Sequence, residues 1–298
     1  MTELAAPYFL TPLSTSKESP LLTLGNKLRS GQGSTVSLFS KKKKLIISGC
    51  SYTDNYAKEK GIDEFDTWGQ ILADKLDMEL VNLAKCGYGN QAIYTTLVER
   101  ILEEKNIGLV VSLWSEFQRV AFYLEEHIAP KTFKEDWVCF HSEREVLDVE
   151  WLDQFYKPPN KNPRKDSLKY KIAQVLQSPR NIGTGAIESV NLFYSLQSIC
   201  ENLELPYLQA QGCLPLMGKT DEINKRNFHA LSKYIIDRPH PMSKNFIGWP
   251  IIDNIGGWCL DDCLHPMHRL SDEDTHPNED GHKLIAEIFY EEYEKNYS

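Results

Sequence analysis

The stretch Leu45-Ile46-Ile47-Ser48-Gly49-Cys50-Ser51-Tyr52-Thr53 decides the fold class. A short apolar run suits a strand buried on both faces, and Ser48-Gly49 supplies the turn that ends it. Beyond the turn, Phe65, Trp68, Leu72 and Leu76 recur at helical spacing, with Asp66 as the predicted N-cap. Strand, loop and helix follow one another.

The unit then repeats. Leu80-Val81-Asn82-Leu83 reads as a second strand, and Asn90 is placed to cap a helix whose Ile93, Leu97 and Ile101 share a face. Leu109–Leu113 gives a third strand. Val190, Phe193, Leu196, Cys200 and Leu203 mark another helix, Pro206–Ala210 a fourth strand, and Leu284, Ile285, Ile288 and Phe289 the inner face of a C-terminal helix. Such alternation predicts a three-layer α/β/α fold: a parallel sheet covered on both faces, joined by right-handed crossovers, with its ligand crevice at the carboxyl ends of the strands.

Three stretches stand outside this rhythm. Residues 1–43 lack sustained periodicity and read as an N-terminal extended arm, either a flexible leader or a segment that docks on a neighbouring subunit. Residues 44–298 form the domain. Within it, residues 115–184 and 211–272 are too long for simple connections and are expected to be insertions beside the site. The lysines and arginine among the prolines of residues 157–171 read as a solvated loop, with an acidic-glycan or phosphate contact as the lesser alternative.

The chain has 298 residues, 41% hydrophobic and 25% charged, which suits one elaborated domain with a sizeable core. Its formal charge of −9 sets its field against polyanions, so neither nucleic acid nor an anionic membrane is expected as the main partner. No apolar run reaches bilayer length and no secretory signal opens the chain, so synthesis in a cytosol is expected. The 7 cysteines are odd in number and scattered, which predicts reduced thiols.

Chemistry concentrates in three places. Ser51 follows the first strand directly, where a hydroxyl meets solvent and backbone N–H groups meet a developing oxyanion. After the second strand, Cys86-Gly87-Tyr88-Gly89-Asn90 places a glycine able to turn its N–H into an anion-binding concavity, beside an Asn90 amide that either donates or caps. Near the end, Asp274-Thr275-His276-Pro277 sets an imidazole two residues after a carboxylate. Pro277 suits a first helical turn, which leaves His276 at the exposed helix end and His282 on the helix as a structural histidine. The glycine spacing of dinucleotide sites and the Walker A loop are both absent, so no cofactor is expected.

Together, Gly49-Cys50-Ser51-Tyr52-Thr53, Asn82-x-x-x-x-Gly87-x-x-Asn90 and Asp274-x-His276-Pro277-Asn278-x-x-Gly281-His282 resemble the SGNH/GDSL hydrolase superfamily, in its divergent phage and bacterial members. The likeness covers about half the chain and leaves the arm and both insertions aside. It implies a flavodoxin-like sheet, attack of Ser51 on an ester carbonyl, His276 as base, and an oxyanion hole from the backbone of Ser51 and Gly87. O-acetylated carbohydrate is the substrate class it suggests.

Two departures stand out. The family's third block reads Gly-x-Asn-Asp, with the asparagine donating to the oxyanion, whereas this chain has Leu113-Trp114-Ser115-Glu116-Phe117-Gln118-Arg119. Asn90 or Ser115 has to substitute, and loss of one such donor costs ~10²–10³ in rate. The family's acid stands three residues before the histidine, where Glu273 lies; alginate O-acetyltransferase relatives use an Asp-Thr-His order, which favours Asp274 and leaves Glu273 in reserve. Tyr52, Trp114, Ser115 and Arg119 are candidate site supports.

Two further readings stay open. A virion structural or attachment protein, keeping the fold with weak or no catalysis, also fits the missing asparagine and the arm. Cys259-x-x-x-Cys263-x-His265-x-x-His268 carries zinc-type ligands, but without the long loop that usually separates two ligand pairs; it reads first as an ordinary loop and second as a metal site. Cys50 is expected to point into the core.

Overall fold

Leu45, Ile46 and Ile47 lie in β1 (Lys44–Ser48), and none of the three side chains touches solvent. The computed structural model describes residues 41–123, 137–156, 161–176, 182–216, 221–237 and 242–298. The arm expected at 1–43 falls outside the described residues except for its last three, as do residues 157–160 of the basic stretch.

After β1 come α1 (Tyr56–Glu59), α2 (Trp68–Lys75), β2 (Glu79–Asn82), α3 (Asn90–Glu103) and β3 (Ile107–Trp114). An antiparallel hairpin, β4 (Arg119–Tyr123) and β5 (Trp137–His141), leads into α4 (Ser142–Asp153) and α5 (Leu168–Leu176). The chain returns through α6 (Ile182–Asn202), β6 (Tyr207–Gln211), α7 (Asp221–Asp237), β7 (Phe246–Ile247), α8 (Leu260–Cys263) and α9 (Glu279–Tyr297).

The five main strands are parallel in the order β2-β1-β3-β6-β7. Counted along the sheet's own strands this is 2-1-3-4-5, the flavodoxin-like order, whose crevice opens beside the first strand where successive connections leave to opposite faces. Period-two alternation divides the core accordingly. Leu45, Ile47 and Val111 pack under Trp68 and Leu72 of α2 and Phe289 of α9. Ile46 and Val110 pack under Ile93 and Leu97 of α3 and Val190 and Phe193 of α6. The sheet is thus the middle of three layers.

Four readings need correction. The sheet has a fifth strand, Phe246–Ile247, inside the stretch read as an insertion, and only two residues long. Asp66 does not cap α2: Thr67 holds the cap position without a side-chain bond, and the Trp68 N–H donates instead to His282 Nδ1 at 3.2 Å. That bond satisfies an otherwise orphaned helix-end donor from across the domain. Asn90 is the first residue of α3 after Gly89, not its cap. Pro277 precedes the cap of α9, which is Asn278, its side chain accepting from the Gly281 N–H at 3.0 Å.

Residues 115–184 contain the β4–β5 hairpin, α4 and α5, gathered around their own small core of Val138, Phe140, Val146, Val149, Tyr170 and Ala173. None of the 7 cysteines is joined in a disulfide. No described helix is long and apolar enough to cross a membrane.

Candidate active site

The carboxyl end of β1 turns sharply because the Cys50 carbonyl accepts from both Thr53 N–H (2.9 Å) and Asp54 N–H (3.0 Å). Gly49 is required there: a Cβ on it would stand 2.1 Å from Thr53 Oγ1 and 3.1 Å from the Leu113 carbonyl. The turn leaves Ser51 at the carboxyl rim of the sheet, 8% exposed. Cys50 faces inward, buried among Trp68, Leu72 and Leu113, as expected.

His276 meets Ser51 there. Its Nε2 stands 2.9 Å from Ser51 Oγ, and its Nδ1 stands 2.6 Å from Asp274 Oδ1. With Asp274 ionised, Nδ1 carries the proton and Nε2 is left as the acceptor that a base requires. Partial burial pushes the Asp274 carboxyl up, but the bonds from the His276 ring and backbone, the imidazole's charge and the Tyr56 hydroxyl outweigh it, and the acid sits below its ordinary value. Glu273 is exposed; its backbone N–H donates to Ser271 Oγ, and the carboxylate on the imidazole is that of Asp274.

The loop bearing this pair is tied at several points. Ser271 Oγ accepts from the Asp274 N–H at 2.9 Å, and the Leu270 N–H donates to the His276 carbonyl at 2.9 Å. Arg269 anchors the loop to the domain: its guanidinium donates to the Thr275 carbonyl (2.6 Å), Asp261 Oδ1 (2.9 Å) and the Leu264 carbonyl (3.0 Å). Tyr52 joins the same knot, its hydroxyl donating to Asp261 Oδ1 at 2.6 Å while its ring meets the His276 ring edge-on at 5.6 Å. Burial first, then Asp261, holds the Tyr52 phenol well above its usual range, so it stays a donor.

Asn90 is spent elsewhere. Its Oδ1 accepts from the Ser115 N–H at 2.7 Å, and its Nδ2 donates to the Ser115 carbonyl (3.2 Å) and Ser189 Oγ (2.9 Å). The amide therefore clamps the chain leaving β3, with its oxygen and its nitrogen both engaged. Ser115 is fully buried, its Oγ 4.0 Å from Cys213 Sγ. Trp114 is core, with no exposed surface and its Nε1 donating to Gln209 at 3.0 Å. Arg119 donates to the Tyr88 carbonyl (3.0 Å) and Glu116 Oε2 (2.7 Å), while His141 pairs with the same carboxylate, which joins the hairpin to the rim.

Gly87 lies in the loop after β2 with φ of +90°, a conformation that favours glycine. The neighbouring Cys86 N–H donates to Asp54 Oδ2 at 2.7 Å, fastening this loop to the serine turn. The Cys259-to-His268 cluster closes on itself: Cys259 Sγ donates to Asp262 and His268 Nδ1 accepts from the His265 N–H. Among the described residues no three His, Cys, Asp or Glu side chains converge as metal ligands.

Two residues of the site carry no signal in the sequence. Tyr56 opens α1 and lies parallel to the His276 ring, with centroids 3.8 Å apart and planes at 16°. Arg269 sits in an unremarkable loop five residues before Asp274. The role of each depends on what the fold brings next to it.

No family model matches the chain, and no curated protein does. Among solved structures, the psychrotrophic esterase EstA from Pseudoalteromonas sp. aligns over 85% of this chain and 97% of its own, at 12% identity and a TM-score of 0.41. A candidate lipolytic protein of the G-D-S-L family from Desulfitobacterium hafniense DCB-2 aligns over 84% and 99%, at 15% identity and a TM-score of 0.39. A G-D-S-L family member from Veillonella parvula DSM 2008 aligns over 86% and 98%, at 10% identity and a TM-score of 0.36. At such scores these likenesses carry no weight for the chemistry, which rests on the contacts among Ser51, His276 and Asp274.

Proposed function

We propose that the chain is a serine hydrolase of the SGNH/GDSL type that cleaves carboxylic esters through an acyl-enzyme on Ser51. The observation that carries this reading is the continuous chain Ser51 Oγ, His276 Nε2, His276 Nδ1, Asp274 Oδ1, with both contacts at 2.6–2.9 Å. Nothing in core packing requires a hydroxyl, an imidazole and a carboxylate in that order. A nucleophilic serine does.

The steps follow from the geometry. Ser51 Oγ attacks the acyl carbon while its proton passes to His276 Nε2, and Asp274 steadies the imidazolium. The backbone N–H groups of Ser51 and Gly87 are the proposed donors to the oxyanion. The imidazolium returns its proton to the leaving alkoxide, and the alcohol departs. His276 then takes a proton from water, the hydroxide attacks the acyl carbon, and Ser51 leaves with the proton restored. An O-acetylated carbohydrate is the substrate class to test first, by analogy with the superfamily.

The committed Asn90 amide favours a second reading, in which the fold serves a virion or attachment role with little turnover. One experiment separates them: p-nitrophenyl acetate turnover by the full chain and by Ser51→Ala, together with fluorophosphonate labelling located by peptide mass spectrometry. Ser51-dependent turnover and a label on Ser51 are expected. Equal background rates and no label would favour the structural role.

A further inference from the structure

Tyr56 touches both partners of the proposed base. Its ring covers one face of the His276 imidazole, and its hydroxyl donates to Asp274 Oδ2 at 3.0 Å, leaving Oδ1 for the imidazole Nδ1. The phenol thus bonds the carboxylate oxygen that the histidine does not use. It reaches both because it stands five residues after Ser51, on the first turn beyond the nucleophile segment.

Each contact removes a motion. An imidazole that swings about its side-chain bonds loses Ser51, and a ring stacked at van der Waals distance blocks that path on one side while Tyr52 meets the ring edge-on. A carboxylate that rotates loses the Nδ1 proton, and a second hydrogen bond on its other oxygen opposes the rotation. Geometry held this closely matters, because displacement of a reacting group by about 1 Å can cost ~10² in rate.

We infer that Tyr56 is a positioning residue for the His276–Asp274 pair, fixing the imidazole by stacking and the carboxylate by hydrogen bonding. This rests on the reading of Ser51 and His276 given above. Its two parts act on the imidazolium in opposite senses. The π face over the ring favours the positive charge, whereas the hydroxyl draws charge from Asp274 and weakens that support.

Other charged groups near the pair are accounted for. His282 on α9 is kept neutral by burial, Lys60 stands beyond the Tyr56 ring at 5.8 Å, and Asp261 and Arg269 are paired with each other behind Tyr52. Of these, Lys60 alone has a contact with Tyr56, and Tyr56→Phe keeps the ring it stands over.

The test compares the full chain with Tyr56→Phe and Tyr56→Leu. The His276 ring titration is followed by NMR on histidine-labelled protein, its signal identified by loss in His276→Gln, and kcat and KM are measured beside it. Tyr56→Phe keeps the stack and drops the hydroxyl, so the midpoint should rise; Tyr56→Leu, which also loses the stack, should then lie below Tyr56→Phe by about 0.4–0.7 pH unit. kcat should fall about 3–10-fold in the first variant and about 30–100-fold in the second, with KM within about twofold. Unchanged melting temperatures exclude misfolding as the cause. Identical midpoints in all three proteins overturn the inference even where wild-type turnover depends on Ser51. Midpoints that move as stated uphold it even if turnover is absent, an outcome that would instead defeat the hydrolase reading.

Discussion

His276 Nε2 lies 2.9 Å from the Ser51 hydroxyl across 225 positions of sequence. The contact follows from topology. β1 is flanked by β2 and β3 and delivers Ser51 at the carboxyl rim, and α9 packs on α2, so the loop before α9 ends over the same rim. Every link between these two residues is then a place where function is open to test.

The first test separates the two carboxylates. Asp274→Asn keeps the size of the side chain but removes the charge that holds the proton on Nδ1, so kcat should fall by ~10³–10⁴. Glu273→Gln alters an exposed group, and its kcat should stay within about twofold of wild type. Steady-state kinetics of both variants on one ester decides the matter; the reverse order would move the acid to Glu273.

Arg269 offers a second. Its guanidinium joins Asp261 to the Thr275 and Leu264 carbonyls and is mostly covered, with 13% of the side chain exposed against 17% for Asp261. Arg269→Met leaves Asp261 bonded to Tyr52 and frees the loop that bears Asp274 and His276. The variant should lose about 2–3 kcal/mol in urea unfolding and about tenfold or more in kcat. An unchanged kcat in a folded Arg269→Met protein would show that the loop holds its shape without the anchor.

Much of this was legible beforehand, and the remainder was hidden for physical reasons. Leu45-Ile46-Ile47 announces a buried strand because helices cover both faces of the parallel sheet it belongs to, and a serine after such a strand has one place to be. Asp274-Thr275-His276 is local enough to read as a unit. Phe246–Ile247 is not, since two apolar residues have no period; only pairing with Gln209 and Ala210 makes them a strand. The N-terminus of α2 misled because its donor is met by His282, more than 200 residues away, instead of by a neighbouring Asp66. Asn90 misled in another way: its position invites a cap or an oxyanion donor, and its neighbours claim it for Ser115. Tyr56 was invisible because a stack with His276 leaves no spacing to detect.

Asn90 yields a third prediction. Asn90→Ala removes the acceptor for the buried Ser115 N–H, whereas the Ser115 carbonyl keeps a bond from Gln211 Nε2 at 3.0 Å. One orphaned donor should cost about 1–3 kcal/mol, with kcat falling in step because the chain after β3 shifts. Asn90→Asp retains the acceptor and should lose less. Chemical unfolding and kinetics together decide: a kcat loss of ~10²–10³ with no loss of stability would make Asn90 an oxyanion donor after all.

The last prediction concerns pH and uses His282, which is 3% exposed and whose value burial, then the charge of His276, pulls from 6.5 down to about 4. In the folded chain it is neutral at pH 7 and accepts the Trp68 N–H on Nδ1. The unfolded chain takes up a proton as pH drops through 6.5, while the folded chain resists until about 4. The unfolded state therefore binds more protons across that window, and stability must fall as pH falls, by about 3 kcal/mol over the whole interval. Asp274 acts in the same direction but at lower pH, because its depressed value leaves it ionised until the solution is more acid. Urea unfolding of wild type and His282→Asn between pH 7.5 and 4.5 isolates the histidine term. The variant should start less stable at the high end, having lost a shaped acceptor for the α2 terminus, yet decline less steeply, so the two curves converge as the solution acidifies. Parallel curves would mean that His282 takes no part in the acid sensitivity of the fold.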